Sequence, residues 1–288
     1  MSTPTPTPDF LPPTPPSNSH CHLLDFATTT PPLPEYSRYL AAIIDNALTP
    51  SECTELLHLA EASTPDNSWD RATINVGNGR QALSTDSRNC GRIVLDSRDL
   101  ADKLYARLLP FLQELGIDRL DDRPSVTRLA GRGRSYRMTR LNERLRFLKY
   151  VGGEYFRPHW DAHYRTKDGG ERSFFTIQLY LSGEGCQDRE ELERAMKKVK
   201  DEDEDKDEDK DEDENKTNVD VEGELLGGAT AFLPRLEEKE RVVRVFPKTG
   251  SVLVFQQSEL LHSGDPVFRG TKYTVRTDVM YELCEAGA

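Results

Sequence analysis

From residue 145 onward the chain is a succession of short apolar segments, each cut off by glycine or another turn former. This punctuation limits the possible fold more than any other feature. Residues 145–150 alternate and stop ahead of Gly152 and Gly153, while the aromatic and aliphatic stretch 174–181 stops at Ser182 and Gly183. Residues 229–233 follow a Gly227-Gly228 pair, and 241–246, 251–256 and 273–281 complete the series. Segments this short suit strands, not helices. Two amphipathic helices are expected before them. Thr49, Pro50 and Glu52 supply an N-cap, a proline at the first helical position and a glutamate at N3, ahead of Leu56, Leu57, Leu59 and Ala60. A second helix is expected over about 97–109, with Leu100, Leu104, Leu108 and Leu109 on one side and Pro110 ending or kinking it. Helices first and strands afterwards predict an α+β domain, the helices buttressing a β-sandwich or barrel.

Composition matters here for what it removes. The hydrophobic share of 36% is low for 288 residues, and two segments account for it. Residues 1–34 are rich in Pro and Thr and are expected to be a disordered tail, leaving 36–288 as the folded domain. Residues 187–222 are rich in Asp, Glu and Lys and read as a disordered acidic insertion between strands, in which 190–200 suits a short charged helix. Residues 201–214 alone hold twelve acids and two lysines, so they carry most of the net charge of −12. Neither a basic face nor a polybasic tract remains to suggest nucleic acid or an anionic membrane as partner. Five scattered cysteines without CxxC spacing, no secretory pattern at the start and no apolar run of roughly 20 residues predict a soluble, intracellular, cytoplasmic protein, a nuclear address staying open.

The chemistry centres on His159, Asp161 and His262. Residues two apart on a strand share a face, so His159 and Asp161 can reach one ion together, and His262 from a distant strand completes two imidazoles and a carboxylate. Such a facial triad leaves three positions open on octahedral iron, whereas structural zinc wants four closed ligands, commonly cysteines. His163 reads as a rim residue or substrate contact, His58 as structural, and His20 and His22 as part of the tail. The stretch from Arg88 to Arg92 reads equally as part of the site's mouth or as a solvated loop. Arg146 or Lys149 is expected to face substrate, and Gly264 and Gly270 to serve turns.

The run from Tyr150 through Gly153 and Phe156 to Pro158-His159-Trp160-Asp161 resembles the prolyl 4-hydroxylase-like branch of the 2-oxoglutarate/Fe(II) dioxygenases, with its Tyr-x-x-Gly segment, aromatic residue and Pro-His-x-Asp. His262 followed ten residues later by Lys272 is similar to that family's distal histidine and basic residue, and the block from Gly227 to Phe232 to the strand between them. The resemblance spans about residues 47–281. It implies a double-stranded β-helix, or jelly roll, with Fe(II) held by His159, Asp161 and His262. It further implies that Lys272 meets the far carboxylate of 2-oxoglutarate, that Tyr180 supports that carboxylate, and that Tyr150 lines the cosubstrate pocket. Arg276 lies four residues beyond Lys272 on the same face and competes for the carboxylate or contacts substrate. Implied with them are O2 as cosubstrate, ascorbate as reductant, and hydroxylation of an unactivated C–H bond coupled to decarboxylation of 2-oxoglutarate to succinate and CO2. Three readings stay open: a hydroxylase of a prolyl residue in a peptide, a hydroxylase of an amino acid or metabolite, and a non-catalytic binding module whose acidic loop recruits partners.

Overall fold

Turn residues fold the strand-rich half of the chain back on itself in nested antiparallel pairs. The computed structural model describes residues 10–75, 81–204, 220–238 and 240–284. Eight strands make its frame: β1 (Arg144–Tyr150), β2 (Tyr155–His159), β3 (Glu171–Tyr180), β4 (Thr230–Phe232), β5 (Val243–Val245), β6 (Val252–Gln256), β7 (His262–Gly264) and β8 (Lys272–Leu283). The first pairs with the last, the second with the seventh, the third with the sixth, and the fourth with the fifth. Lateral pairing of β8 with β3 and of β7 with β4 gathers these hairpins into two sheets, β6-β3-β8-β1 and β5-β4-β7-β2. That connectivity is a jelly roll, as expected. Gly152 and Gly153, both at positive φ, turn the chain from the larger sheet into the smaller.

Strand parity separates two cores. Val252 and Val254 of β6, Phe175, Ile177 and Leu179 of β3, and Val275 and Val279 of β8 face outward from the larger sheet. They pack with Leu56 and Leu59 of helix α1 (Pro50–Glu61) and with Leu100, Leu104 and Leu108 of helix α2 (Arg98–Glu114). Inward-facing Tyr180, Leu253 and Phe255 meet Phe232, Val243 and Val245 of the smaller sheet. The capping box at Thr49 and Glu52 forms as expected. Helix α2 runs through Pro110 to Glu114, beyond the expected end. A proline there removes a single hydrogen bond, and burial of Phe111 and Leu112 holds the last turn in place.

The order of elements differs from helices first and strands afterwards. Strands Ala41–Asp45 and Gly91–Asp96 lie between and before the helices and extend the larger sheet beyond β6 and β1 respectively. The expectation of a disordered tail over 1–34 does not hold for residues 10–34. Strand His20–Leu23 pairs with Ala41–Asp45, and Phe10, Leu11, Phe26 and Leu33 are buried. Buried Arg107 fastens this segment by donating to Pro12 O at 2.6 Å and Ala47 O at 3.0 Å while pairing with Glu52 at 2.8 Å. The prolines of this segment are compatible with order because all lie outside the strand ladders, in irregular backbone or, for Pro34, at the start of a short 3-10 helix, where no ladder N–H is needed. The tail reading for residues 1–9 lies outside the described residues.

In the acidic insertion the short charged helix expected over 190–200 forms. Gln187 exchanges two hydrogen bonds with Gly227, at 2.7 and 2.8 Å, and a helix spans Arg189–Glu204. Residues 205–219 lie outside the described residues. No helix among the described residues is long and apolar enough to cross a membrane.

Candidate functional site

His159 closes β2 and His262 opens β7, and the register of those two antiparallel strands sets them directly opposite each other. Their ring centres lie 4.4 Å apart. Asp161, just past the end of β2, brings Oδ1 to 3.7 Å from His159 Nε2 and 3.8 Å from His262 Nε2. One ligand atom from each of the three therefore falls within a 4.8 Å sphere of mutual separation. In both histidines Nδ1 is spent on a backbone carbonyl two residues back, Arg157 O at 2.8 Å and Leu260 O at 3.0 Å. A carbonyl accepts only from N–H, so the proton sits on Nδ1 and the Nε2 lone pairs face the shared centre.

Neighbouring groups hold this arrangement. The Phe156 ring stacks on His159 at 3.6 Å, and the Phe255 ring meets His262 at 4.7 Å. Burial keeps both imidazoles neutral, taking His159 down to about 3 and lowering His262 likewise. For Asp161 burial pushes the other way, yet the Arg276 guanidinium, helped by the Thr176 hydroxyl, holds its carboxyl below the usual range. Arg276 reaches Asp161 Oδ1 at 2.8 Å, and the Thr176 hydroxyl donates to Oδ2 at 2.6 Å. Two neutral imidazoles and an oriented carboxylate form a donor set suited to Fe(II).

A pocket runs from this centre between the sheets, lined among others by Tyr150, Thr230, Gly264, Lys272 and Arg276. Lys272 and Arg276 share the inward face of β8, opposite Tyr150 and Arg146 of β1. Lys272 is 2% exposed, and no carboxylate pairs with it among the described residues; its ammonium instead lies 5.0 Å from the centre of the Tyr150 ring. Burial lowers it to about 8, against the pull of Asp265. Tyr180 is buried behind the pocket wall and donates to Thr230 Oγ1 at 2.7 Å, as does Gln178 Nε2 at 2.7 Å. With its oxygen accepting twice, Thr230 has its own hydroxyl proton left for the pocket. Gly264 is a strand residue, not the turn residue expected. A Cβ there would stand 3.6 Å from Phe156 Cβ and 4.0 Å from Lys272 Nζ, so its bare backbone keeps open the space facing the ammonium. Gly270, at φ 71°, does serve a turn.

The structure thus brings together His159, Asp161, His262, Tyr150, Lys272 and Arg276, with Tyr180 one side chain removed. Other expectations fall away. His163 has both ring nitrogens occupied, by Ser173 O at 2.7 Å and Ser258 Oγ at 2.8 Å, so it is a packing residue. Arg146 pairs with Asp278 at 3.3 Å, and Lys149 lies against Trp69 and Tyr273, so neither lines the pocket. His58 is exposed on α1. His20 and His22 sit on an edge strand beside Asp45, whose other oxygen is taken by Lys248 at 2.8 Å. Thr176, Gln178 and Thr230 were missed. The period-two pattern of Thr176, Gln178 and Tyr180 among Phe175, Ile177 and Leu179 was the signal that marks a polar inner face.

Two imidazoles and one carboxylate brought together between the sheets of a jelly roll could hold a single metal ion. No family model matches the sequence, and no curated protein matches it. Among solved structures, the chain is similar to a prolyl-4-hydroxylase from Pseudomonas putida, at 15% identity over 85% of this chain and 95% of that one, with a TM-score of 0.47. It is also similar to the viral collagen prolyl hydroxylase of Paramecium Bursaria Chlorella virus-1 in its 2OG complex, at 16% identity over 84% and 96%, TM-score 0.44. A third is a Trichoplax adhaerens prolyl hydroxylase in complex with a hypoxia inducible factor peptide fragment, at 16% identity over 84% and 83%, TM-score 0.45.

Proposed function

We propose that this protein is an Fe(II)- and 2-oxoglutarate-dependent dioxygenase that hydroxylates an unactivated C–H bond, with a prolyl residue of a peptide as the substrate the motif resemblance favours. The observation that carries the reading is the convergence of His159 Nε2, His262 Nε2 and Asp161 Oδ1 beside a pocket lined by buried Lys272, which makes no ion pair among the described residues. When bound, iron and 2-oxoglutarate supply the oxidising chemistry with O2, yielding succinate and CO2 alongside the hydroxylated product, and ascorbate keeps the metal reduced.

The chain's own part is positional. His159, Asp161 and His262 would hold the metal and, being only three protein ligands, would leave it coordination positions for reactants. Thr176 fixes the plane of the Asp161 carboxylate, and Phe156 fixes that of the His159 ring. Lys272 neutralises the far carboxylate of the cosubstrate and Thr230 donates to it, because a dicarboxylate entering a buried pocket needs a fixed cation and donors. Arg276 is committed to Asp161, which supports Lys272 for the carboxylate role and leaves Arg276 to keep the ligand ionised. Tyr150, its hydroxyl pushed up by burial, remains protonated and lines the pocket as a neutral donor. A binding module without catalysis has no use for this set.

Succinate release under Fe(II), 2-oxoglutarate and O2 tests the reading. The wild-type chain is expected to form succinate, and His159→Ala or His262→Ala to reduce release to background; wild-type turnover in either variant refutes the assignment.

A further inference from the structure

Arg88 is the one charged residue of the pocket that the chemistry above leaves without a task. It lies on the short strand Arg88–Asn89, whose pairing with β2 sets it opposite Phe156 at the edge of the smaller sheet. It is 8% exposed, and its Nε finds no hydrogen-bond partner. The guanidinium lies 4.5 Å from the centre of the Phe156 ring, and its contacts are the neutral Tyr150 hydroxyl and Cys90 sulfur. Among the described residues no carboxylate pairs with it within the 4.0 Å of an ion pair. The other basic groups nearby are provided for, since Arg276 holds Asp161 at 2.8 Å and Arg71 holds Glu154 at 2.6 Å.

A guanidinium taken out of water without a counter-ion is strongly unfavourable unless something else supplies the negative charge. Lys272 likewise makes no ion pair within 4.0 Å among the described residues, Asp265 acting on it only from farther away, and both cations neighbour Tyr150, the ammonium standing 5.0 Å from the ring centre. Both line the same pocket, where Gly264 leaves open the space between Phe156 and the Lys272 ammonium. Two buried cations without carboxylate partners flanking one tyrosine define a seat for a single anionic group larger than a point charge. A carboxylate fits, because its two oxygens can accept from a guanidinium fork on one side and an ammonium on the other.

We propose that Arg88 is a second cationic residue of the cosubstrate seat, binding the far carboxylate of 2-oxoglutarate together with Lys272. The inference rests on the dioxygenase reading above and assigns within it a residue that the motifs do not mark.

Calorimetric binding to the full chain loaded with Mn(II), which takes no part in turnover, separates the two ideas. The ligands are 2-oxoglutarate and 2-oxobutyrate, which lacks the far carboxylate. Arg88→Ala is expected to weaken 2-oxoglutarate by at least about tenfold, to leave 2-oxobutyrate unchanged, and to be partly restored by Arg88→Lys. Equal affinity for 2-oxoglutarate in wild type and Arg88→Ala overturns the proposal while leaving the dioxygenase reading intact. Equal weakening of both ligands overturns it too, since that marks a packing role. Failure of the Mn(II)-loaded wild type to bind 2-oxoglutarate sinks the parent reading instead. Circular dichroism checks the fold of each variant, and Arg88→Gln replaces Arg88→Ala where the latter fails to fold.

Discussion

Lys272→Met should make the metal-free protein more stable while it damages the pocket. Burial takes the ammonium from 10.5 to about 8, the favourable pull of Asp265 being the smaller effect. At 1.36 kcal/mol for each unit, this difference means the charged lysine destabilises the ligand-free fold by about 3 kcal/mol at neutral pH. Below pH 8 the side chain is protonated in both folded and unfolded chains, and the full penalty applies. Between pH 8 and 10.5 the unfolded chain holds a proton the folded one has released, so stability rises with pH, and above 10.5 no penalty remains. Methionine fills a similar volume without charge and forfeits a cation–π contact with Tyr150 worth about 1 kcal/mol. The net expectation is a gain of about 2 kcal/mol at pH 7. Urea unfolding with chelator present, at a series of pH values from 7 to roughly 10, measures it. A variant less stable than wild type at pH 7, or an advantage that does not shrink as pH rises, would refute the reasoning. The same protein should bind 2-oxoglutarate far more weakly, an instance of stability traded for function.

Thr176→Val removes the donor to Asp161 Oδ2 and should weaken Mn(II) binding by about tenfold; unchanged affinity in a calorimetric titration would reduce Thr176 to packing. Gly264→Val fills the space between Phe156 and Lys272, so 2-oxoglutarate should lose affinity while Mn(II) binding stays at the wild-type value; equal 2-oxoglutarate affinity would mean the ligand lies elsewhere. Deleting residues 1–34 exposes the partners of Phe10, Leu11, Phe26 and Leu33. At about 1.5–3 kcal/mol per buried side chain the loss rivals the whole stability of a domain, so insoluble or unfolded protein is expected, and a wild-type melting curve would disprove the packed role of that segment.

The parts of the site legible in the sequence are those that strand geometry transmits directly. His159 and Asp161 are two apart, Lys272 and Arg276 four apart, and a period of two puts each pair on one face wherever the strand goes. The polar alternation through Thr176, Gln178 and Tyr180 carried the same information about β3, although its aromatic and aliphatic content drew the reading toward a uniformly apolar strand. Arg88 and Gly264 had no such local marker, since burial of an arginine and openness beside a glycine are properties of what surrounds them.

What the sequence determined by itself was periodicity: where strands and helices form, where glycines break them, and which side chains can share a face. Local backbone sterics and hydrophobic alternation act over a few residues, so they are written in a few residues. Only the tertiary structure decided which distant strands pair, and with them the opposition of His159 and His262 and the choice of Arg276 over Lys272 as partner of Asp161. It also decided that a proline-rich segment is pinned by Arg107 and buried apolar anchors, contrary to its composition. Those outcomes depend on register and desolvation across chain separations of tens to hundreds of residues, and no short stretch of sequence contains the free energy that settles them.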